Sequence, residues 1–487
     1  MSTLILVRIL SYSEMIEVLK ALFTNLHSEV IPFCNWKGYG ALEKNLMGEG
    51  DLDLFIPLEY KGKFEKVTEH CNFKKLSSYQ ASYPFIEHYY GFDPKTKKFA
   101  HLHVYYKIVT GEHISKNYVL PLEKYILENT TREELLPSLT YNAKQNIYLI
   151  RYFIKIGSMF GILQYLRERK KYSKEWDIIQ RSSNPESIPD LYITEEISYE
   201  MKKIFESGSL LQKISYSFYL KGILRGFRRR NLMRHFLHQY KSLNKRLVNK
   251  IFIKRKKLFD PGFVIAICGL DGSGKSTLVK ELKNTFSKEF SVKIFHLGRP
   301  SSNLITFFPN FLFKSFSIVR RLRVKEIKVK EAPKISISTI HALRALCLAY
   351  DRKIESLKAH NLSRKGYLVI CDRYPGLTVG KMDSPRIPYD KTRNRFYQFL
   401  YRKENSFYNT IQSANQLFHL SVPLEVALER NDKRTKFGKE TETELKARFY
   451  VNEGVKFLGE RYFLIDSTKS FEDVKSEVIS KLWSTTT

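Results

Sequence analysis

The sequence predicts two α/β units joined by a basic helical region. Three observations carry this. A short apolar run, Phe263–Cys268, is followed at once by a glycine-rich loop and a helical pattern. Near the other end, two aspartates two residues apart, Asp51 and Asp53, sit on an apolar run. Between them, residues 207–259 contain fifteen Lys and Arg and no Asp or Glu. The expected divisions are 1–135 (an α+β domain), 136–259 (helices with the basic connector) and 260–487 (a parallel sheet flanked by helices).

The chain has 487 residues, enough for two or three domains. Hydrophobic residues make up 43%, which excludes global disorder. A net charge of +32 points to partners that carry phosphate. The five cysteines, Cys34, Cys71, Cys268, Cys347 and Cys371, are scattered and include no C-x-x-C pair. That excludes a disulfide scaffold and a zinc finger and points to a reducing compartment. The first residues, MSTLILVRILSYSEM, lack the basic start of a signal peptide. The apolar stretch Asn303–Arg321 is interrupted by Pro309 and Lys314, so it does not read as a spanning helix. A cytoplasmic location is expected, with peripheral binding at the inner membrane face as an option.

In NLMGEGDLDLFIP, the period of a strand puts Asp51 and Asp53 on one face. Two such carboxylates can bind magnesium and steer a triphosphate. Together with Trp36-Lys37-Gly38 upstream, this segment resembles the polymerase-β-type nucleotidyltransferase fold over roughly residues 15–125. That family uses a third carboxylate on a following strand. Here the run from Phe99 to Tyr106 carries His101 and His103 instead, also on one face. A metal set of Asp51, Asp53 and His103, a structural role, and acceptor contacts are the three readings. Glu87 and His88 lie just upstream. The apolar stripe Ile147, Leu149, Ile150, Phe153, Ile154 and Ile156 reads as a helix packed under this first domain.

Within 207–259, Phe218, Leu220, Ile223, Leu224 and Phe227, then Leu232, Phe236 and Tyr240, recur at helical spacing. The segment reads as a solvated connector, a helix on anionic lipid or a nucleic-acid surface. No nucleic-acid recognition motif accompanies the charge.

The run Phe263–Cys268 reads as a buried parallel strand. GLDGSGKST follows, and fits G-x-x-x-x-G-K-S/T with Gly269, Gly274, Lys275 and Ser276 in register. Asp271, Gly272 and Ser273 complete the loop, and Thr277 opens the helix. Glycines let backbone N–H groups turn inward onto phosphate, and the helix N-terminus adds positive potential. Lys275 then serves the β- and γ-phosphates and the Ser276 hydroxyl a magnesium ion. A second strand, Tyr367–Cys371, ends in Asp372-Arg373-Tyr374. A carboxylate at the carboxyl end of a parallel strand faces the ligand crevice, where Asp372 can hold magnesium or take a proton. Arg373 beside it can clamp an acceptor phosphate. A third block, from Leu417 to Val422 with PLEVALERNDKRTKFGK after it, puts Arg430, Lys433 and Arg434 on successive helical turns, which suits a lid.

Residues 260–487 resemble the thymidylate kinase-type P-loop kinases. The resemblance rests on GLDGSGKST, LCLAYDR, YLVICDRY, LSVPLEVALERNDKR and FLIDSTKSFEDVKSEVISKLW, all in the family's order. It implies ATP and magnesium at Gly269, Asp271–Thr277 and Asp372. It also implies acceptor binding by Arg352 and Arg373, catalysis through Lys275, Asp372 and Arg373, and lid arginines Arg430 and Arg434. Pairing of two chains through helices is a further implication. The chain departs from the family after Tyr374, where PGLTVGKMDSPRIP lacks the residues that hold a pyrimidine. It departs again at Gly298-Arg299-Pro300, which leaves Arg299 as an acceptor contact, and in a basic, aromatic insertion at about 301–338.

The expected function is transfer of the ATP γ-phosphoryl group to a small phosphorylated or anionic acceptor, a nucleoside monophosphate being the family default. The alternatives are a nucleotidyl- or phosphotransferase acting on a glycan or other acceptor through Asp51 and Asp53, and a non-catalytic nucleotide sensor at a membrane.

Overall fold

The computed structural model describes residues 15–77, 83–112, 115–131, 134–180, 186–252, 256–258, 262–309, 311, 338–433 and 441–484. It divides into two compact units, residues 1–256 with 483–487 and residues 257–482. Arg434 and most of the 301–338 insertion lie outside the described residues. Among the described residues no helix is long and apolar enough to cross a membrane.

In the first unit, α1 (Glu17–Ser28), β1 (Cys34–Asn35), β2 (Asp51–Phe55), α2 (Lys61–His70), β3 (Phe73–Ser77), β4 (Ile86–Asp93) and β5 (Lys98–Tyr105) form a mixed sheet with helices on one side. The strand order is β1-β2-β5-β4-β3, with β2 parallel to β5 and the other pairs antiparallel. Alternation along the strands sends Leu52, Leu54, Ala100, Leu102 and Val104 into a core with Leu19, Leu22 and Phe23 of α1 and Phe64 of α2. Asp51, Asp53, His101 and His103 take the opposite face, and the register pairs Asp51 with His101 and Asp53 with His103.

Five helices follow: α3 (Tyr141–Ile156), α4 (Met159–Ile179), α5 (Glu195–Ser207), α6 (Leu210–Ile223) and α7 (Leu232–Phe252). Thr140 caps α3 by accepting the Ala143 N–H. Ile147, Ile150, Phe153 and Ile154 of α3 share one core with Trp36, Tyr105, Leu220 and Leu224. The helices from 141 to 252 therefore belong to the N-terminal unit rather than to a separate region 136–259. Leu220 and Leu224 are buried as the stripe anticipates, but α7 turns its apolar side outward. Met233, Phe236, Leu237, Tyr240 and Leu247 are all exposed.

The second unit runs β6 (Val264–Gly269), α8 (Lys275–Phe286), β7 (Val292–His296), α9 (Thr339–Ser363), β8 (Leu368–Asp372), α10 (Arg395–Asn409), β9 (Ala414–Ser421), α11 (Leu424–Asp432), α12 (Glu442–Val451), β10 (Gly459–Asp466) and α13 (Phe471–Ser484). Its sheet has the order β7-β8-β6-β9-β10 and is wholly parallel. Every residue of β6 is buried, as a central parallel strand requires. Strand order reverses at β6, so the loop after it opens into the crevice where α/β sheets bind ligands.

Candidate active site

The loop from β6 to α8 needs its glycines for space as well as for conformation. Gly269 has φ +141°, and a Cβ there would stand 2.5 Å from the Leu420 carbonyl oxygen. Gly272 has φ +90°, and a Cβ there would crowd the backbone of Ala427 at 3.0 Å. Gly274 leads directly into α8, whose first residue is the buried Lys275. Lys275 Nζ donates to the Leu270 carbonyl at 2.6 Å and stands 3.7 Å from Asp271 Oδ1. Burial pushes the Lys275 ammonium down to about 8, against the pull of Asp271. Ser273 Oγ is buried with no hydrogen-bond partner among the described residues.

Asp372 ends β8, opposite His296 of β7 on one side and Ile267 of β6 on the other. One oxygen, Oδ2, lies 3.1 Å from His296 Nδ1. The other, Oδ1, is buried with no partner among the described residues. Burial alone would raise the Asp372 pKa, but His296, Lys275 and Arg373 together bring it below the ordinary carboxylate value. Arg373 follows in the left-handed region, at φ +66°. Its Nη2 donates to Asp271 Oδ1 at 2.9 Å, and its Nη1 lies 3.5 Å from Asp383 Oδ2. Asp271 also accepts from Arg448 of α12, so one loop carboxylate gathers Lys275, Arg373 and Arg448. These three cations outweigh burial and hold the Asp271 carboxyl below its usual range.

A cleft of about 940 Å³ opens beside this cluster. Ser276, His296, Asp372 and Arg373 line it, together with the expected Arg299 and the unexpected Arg386 and Arg448. Thr277 is exposed on α8.

Two expectations change. Arg352 is fully buried and does not line the cleft. Its guanidinium donates to the carbonyls of Leu297 (2.8 Å) and Gly298 (2.7 Å), to Asp383 Oδ1 (2.8 Å) and to the Tyr408 hydroxyl. Every nitrogen is engaged, so Arg352 is a structural tie rather than an acceptor contact. Its neighbour Asp351 is likewise occupied, by Asn303 and Thr306. Arg352→Met leaves Asp383 without its buried partner and should cost about 3–5 kcal/mol, read as a lowered Tm. Arg430, expected in a lid, donates to the Ser467 carbonyl at 2.8 Å and lies outside the cleft lining. Among the described arginines, it is Arg448 that reaches the loop from the helices after β9.

In the N-terminal unit Asp51 and Asp53, expected with His103 as a metal set, stand instead against Lys37 and two imidazoles. Asp53 Oδ1 lies 2.9 Å from Lys37 Nζ and 3.1 Å from His103 Nδ1, and Asp51 pairs with His101. His88 stacks on His103 with ring centres 4.4 Å apart. Among the described residues no group of three or more His, Cys, Asp or Glu is arranged to hold a metal ion. Burial lowers His103 to about 4 despite Asp53, so this imidazole is neutral at pH 7.

The parallel sheet, with the glycine loop between its central strand and α8, defines a P-loop α/β domain. No family model matches the chain. YghS of Escherichia coli strain K12, described as an uncharacterized ATP-binding protein, is 31% identical over 155 residues, 31% of this chain. YghR of the same strain, described in the same words, is 24% identical over 218 residues, 44% of this chain. The chain spans 65% of the length of YghS and 84% of YghR. Among solved structures, thymidylate kinase from Candida albicans matches with a TM-score of 0.28 and 19% identity, over 46% of this chain and 91% of that one. Deoxyadenosine kinase from M. mycoides with bound dATP matches with a TM-score of 0.24 and 18% identity, over 45% and 98%.

Proposed function

We propose that the second unit is an ATP-dependent phosphotransferase acting on a small anionic acceptor. The observation that carries this reading is that Asp372 and Arg373 line one arginine-rich cleft while Asp271 ties Arg373 to the buried Lys275 of the glycine loop. The ATP-binding description of YghS and YghR supports the donor.

The backbone of residues 269–274 and the α8 N-terminus cradle the donor phosphates, and Lys275 neutralises their charge. The orphaned Asp372 Oδ1, with the Ser276 hydroxyl on the same cleft, fits a magnesium ion, which when bound would offset charge on the donor phosphates. Arg299, Arg386 and Arg448 line the cleft that would take an acceptor carrying phosphate or another anion. The acceptor oxygen forms its bond to the γ-phosphorus as the bond to the β-phosphate oxygen breaks, and ADP leaves. Catalysis is positioning plus charge neutralisation.

The test is ADP release from ATP and magnesium against a panel of nucleoside monophosphates, sugars, sugar phosphates and glycan fragments. Turnover with an anionic acceptor is the expected result. ATP binding without turnover on any acceptor would leave a sensor instead.

Peripheral contact with an anionic bilayer from the cytoplasmic side is part of this reading. The outward Phe236, Leu237 and Tyr240 of α7 support it, with Lys241 and Lys245 exposed on the same helix. The protein should float with phosphatidylserine-containing vesicles, and Phe236→Ser with Leu237→Ser should leave it in the soluble fraction.

A further inference from the structure

We propose that the cavity on the polar face of the N-terminal sheet is a binding site for a small polyanion of the phosphate or pyrophosphate ester class, held without a metal ion. The cavity measures about 520 Å³ and is separate from the P-loop cleft. Lys37 reaches it from the turn after β1, Lys116 from the loop before the strand Tyr118–Leu120, Arg151 and Lys155 from successive turns of α3, and Lys171 from α4.

The acids nearby do not balance these charges. Asp53 is taken by Lys37 and His103. Glu175 accepts the Gly38 N–H at 3.1 Å, and Glu168 accepts from Gln164 and Arg167. Among the described residues, Lys116, Arg151 and Lys155 have no carboxylate within ion-pair distance. Lys116 Nζ meets the Tyr105 hydroxyl at 3.0 Å and the rings of Tyr83 and Tyr105, all neutral groups. Arg151 lies over the Trp36 ring.

Burial, reinforced by Arg151 and Lys37, lowers Lys155 to about 7, and burial holds Lys116 well below an ordinary lysine. Burial thus favours the neutral amines, and a bound anion would favour the charged ones, so binding and proton uptake by these lysines are coupled. Trp36 Nε1 lines the same cavity, buried and with no hydrogen-bond partner among the described residues, and the buried Tyr152 lines it beside Tyr165. Buried donors are normally satisfied, so an orphan beside a surplus of cations describes an acceptor-rich ligand. Lys37 stands against Asp53, and imidazoles against both Asp51 and Asp53, so the proposed ligand is the anion itself.

The experiment is calorimetric titration of inorganic pyrophosphate into the full chain carrying Lys275→Ala, so that the P-loop does not contribute, with EDTA throughout. Saturable binding at one site is expected, weakened at least tenfold by Lys155→Met and separately by Tyr152→Phe. The two variants guard against loss of either one to misfolding, checked by thermal denaturation. Absent binding, binding restored only by magnesium, or binding that neither variant weakens overturns the proposal. Because Lys275 is already removed, failure here leaves the kinase reading of the other unit untouched.

Discussion

Lys275→Ala should lower kcat/KM for ATP-dependent phosphoryl transfer by about 10³-fold, the scale of losing one positioned charge at a transferring group. The side chain is buried, and in the free protein its nearest partners are the Leu270 carbonyl and Asp271. Alanine removes the charge together with the bond to the Leu270 carbonyl, so a thermal melt beside the kinetics checks that the fold is kept. The pH profile adds a second signature. With its pKa held down to about 8 by burial, Lys275 loses its proton in the free protein as pH rises through that value. Since kcat/KM follows ionisations of the free enzyme, it should fall above pH 8. Bound phosphates favour the charged amine, so kcat should hold to higher pH. Steady-state kinetics from pH 6 to 10 would show both limbs. Identical alkaline limbs in kcat and kcat/KM would count against Lys275 as a donor-phosphate ligand.

Asp372→Asn should lower kcat by about 10²–10³-fold while ATP still binds in the absence of magnesium. The substitution keeps the shape of the residue but replaces a carboxylate that sits between His296, Lys275 and Arg373. In the native protein those partners hold the pKa below the ordinary value. The charge is therefore retained as pH falls to the usual carboxylate range and lost only below it. Activity that depends on it should show no acid limb from this group near pH 4, about where an ordinary aspartate would titrate. Fluorescent ATP-analogue binding with and without magnesium, beside turnover, separates loss of metal from loss of fold.

The strand, loop and helix from Phe263 to Phe286 were legible because they are local. An apolar run, glycines at fixed offsets and a helical stripe each reflect backbone physics within a few residues. The shared face of Asp51, Asp53, His101 and His103 was legible for the same reason, since a strand has a period of two. Arg448 was not. It meets Asp271 across 177 residues of chain, and nothing near it in sequence marks it. Asp383 and Arg386 sit in PGLTVGKMDSPRIP, a stretch that could be read for what it lacks but not for what it supplies. Arg352 shows the limit most directly. An Asp-Arg pair ending LCLAYDR reads as an acceptor contact, yet the packing of α9 buries it. In α7 the helical period was legible and the outward direction of its apolar side was not, because periodicity identifies a stripe without saying what covers it.

The Arg352 tie has a consequence for redesign. It fastens the β7 exit, which carries Arg299, to Asp383, which steadies Arg373, and to Tyr408 of α10. The charged walls of the cleft are thus built into the core of the unit. Val379, Pro388 and Val451 border the same cleft but make none of these bonds, and both valines are exposed. An engineer could reshape these three positions to admit a bulkier or smaller acceptor while leaving the charge frame intact. The reverse order, altering the frame first, would dismantle the scaffold before any new preference could be measured.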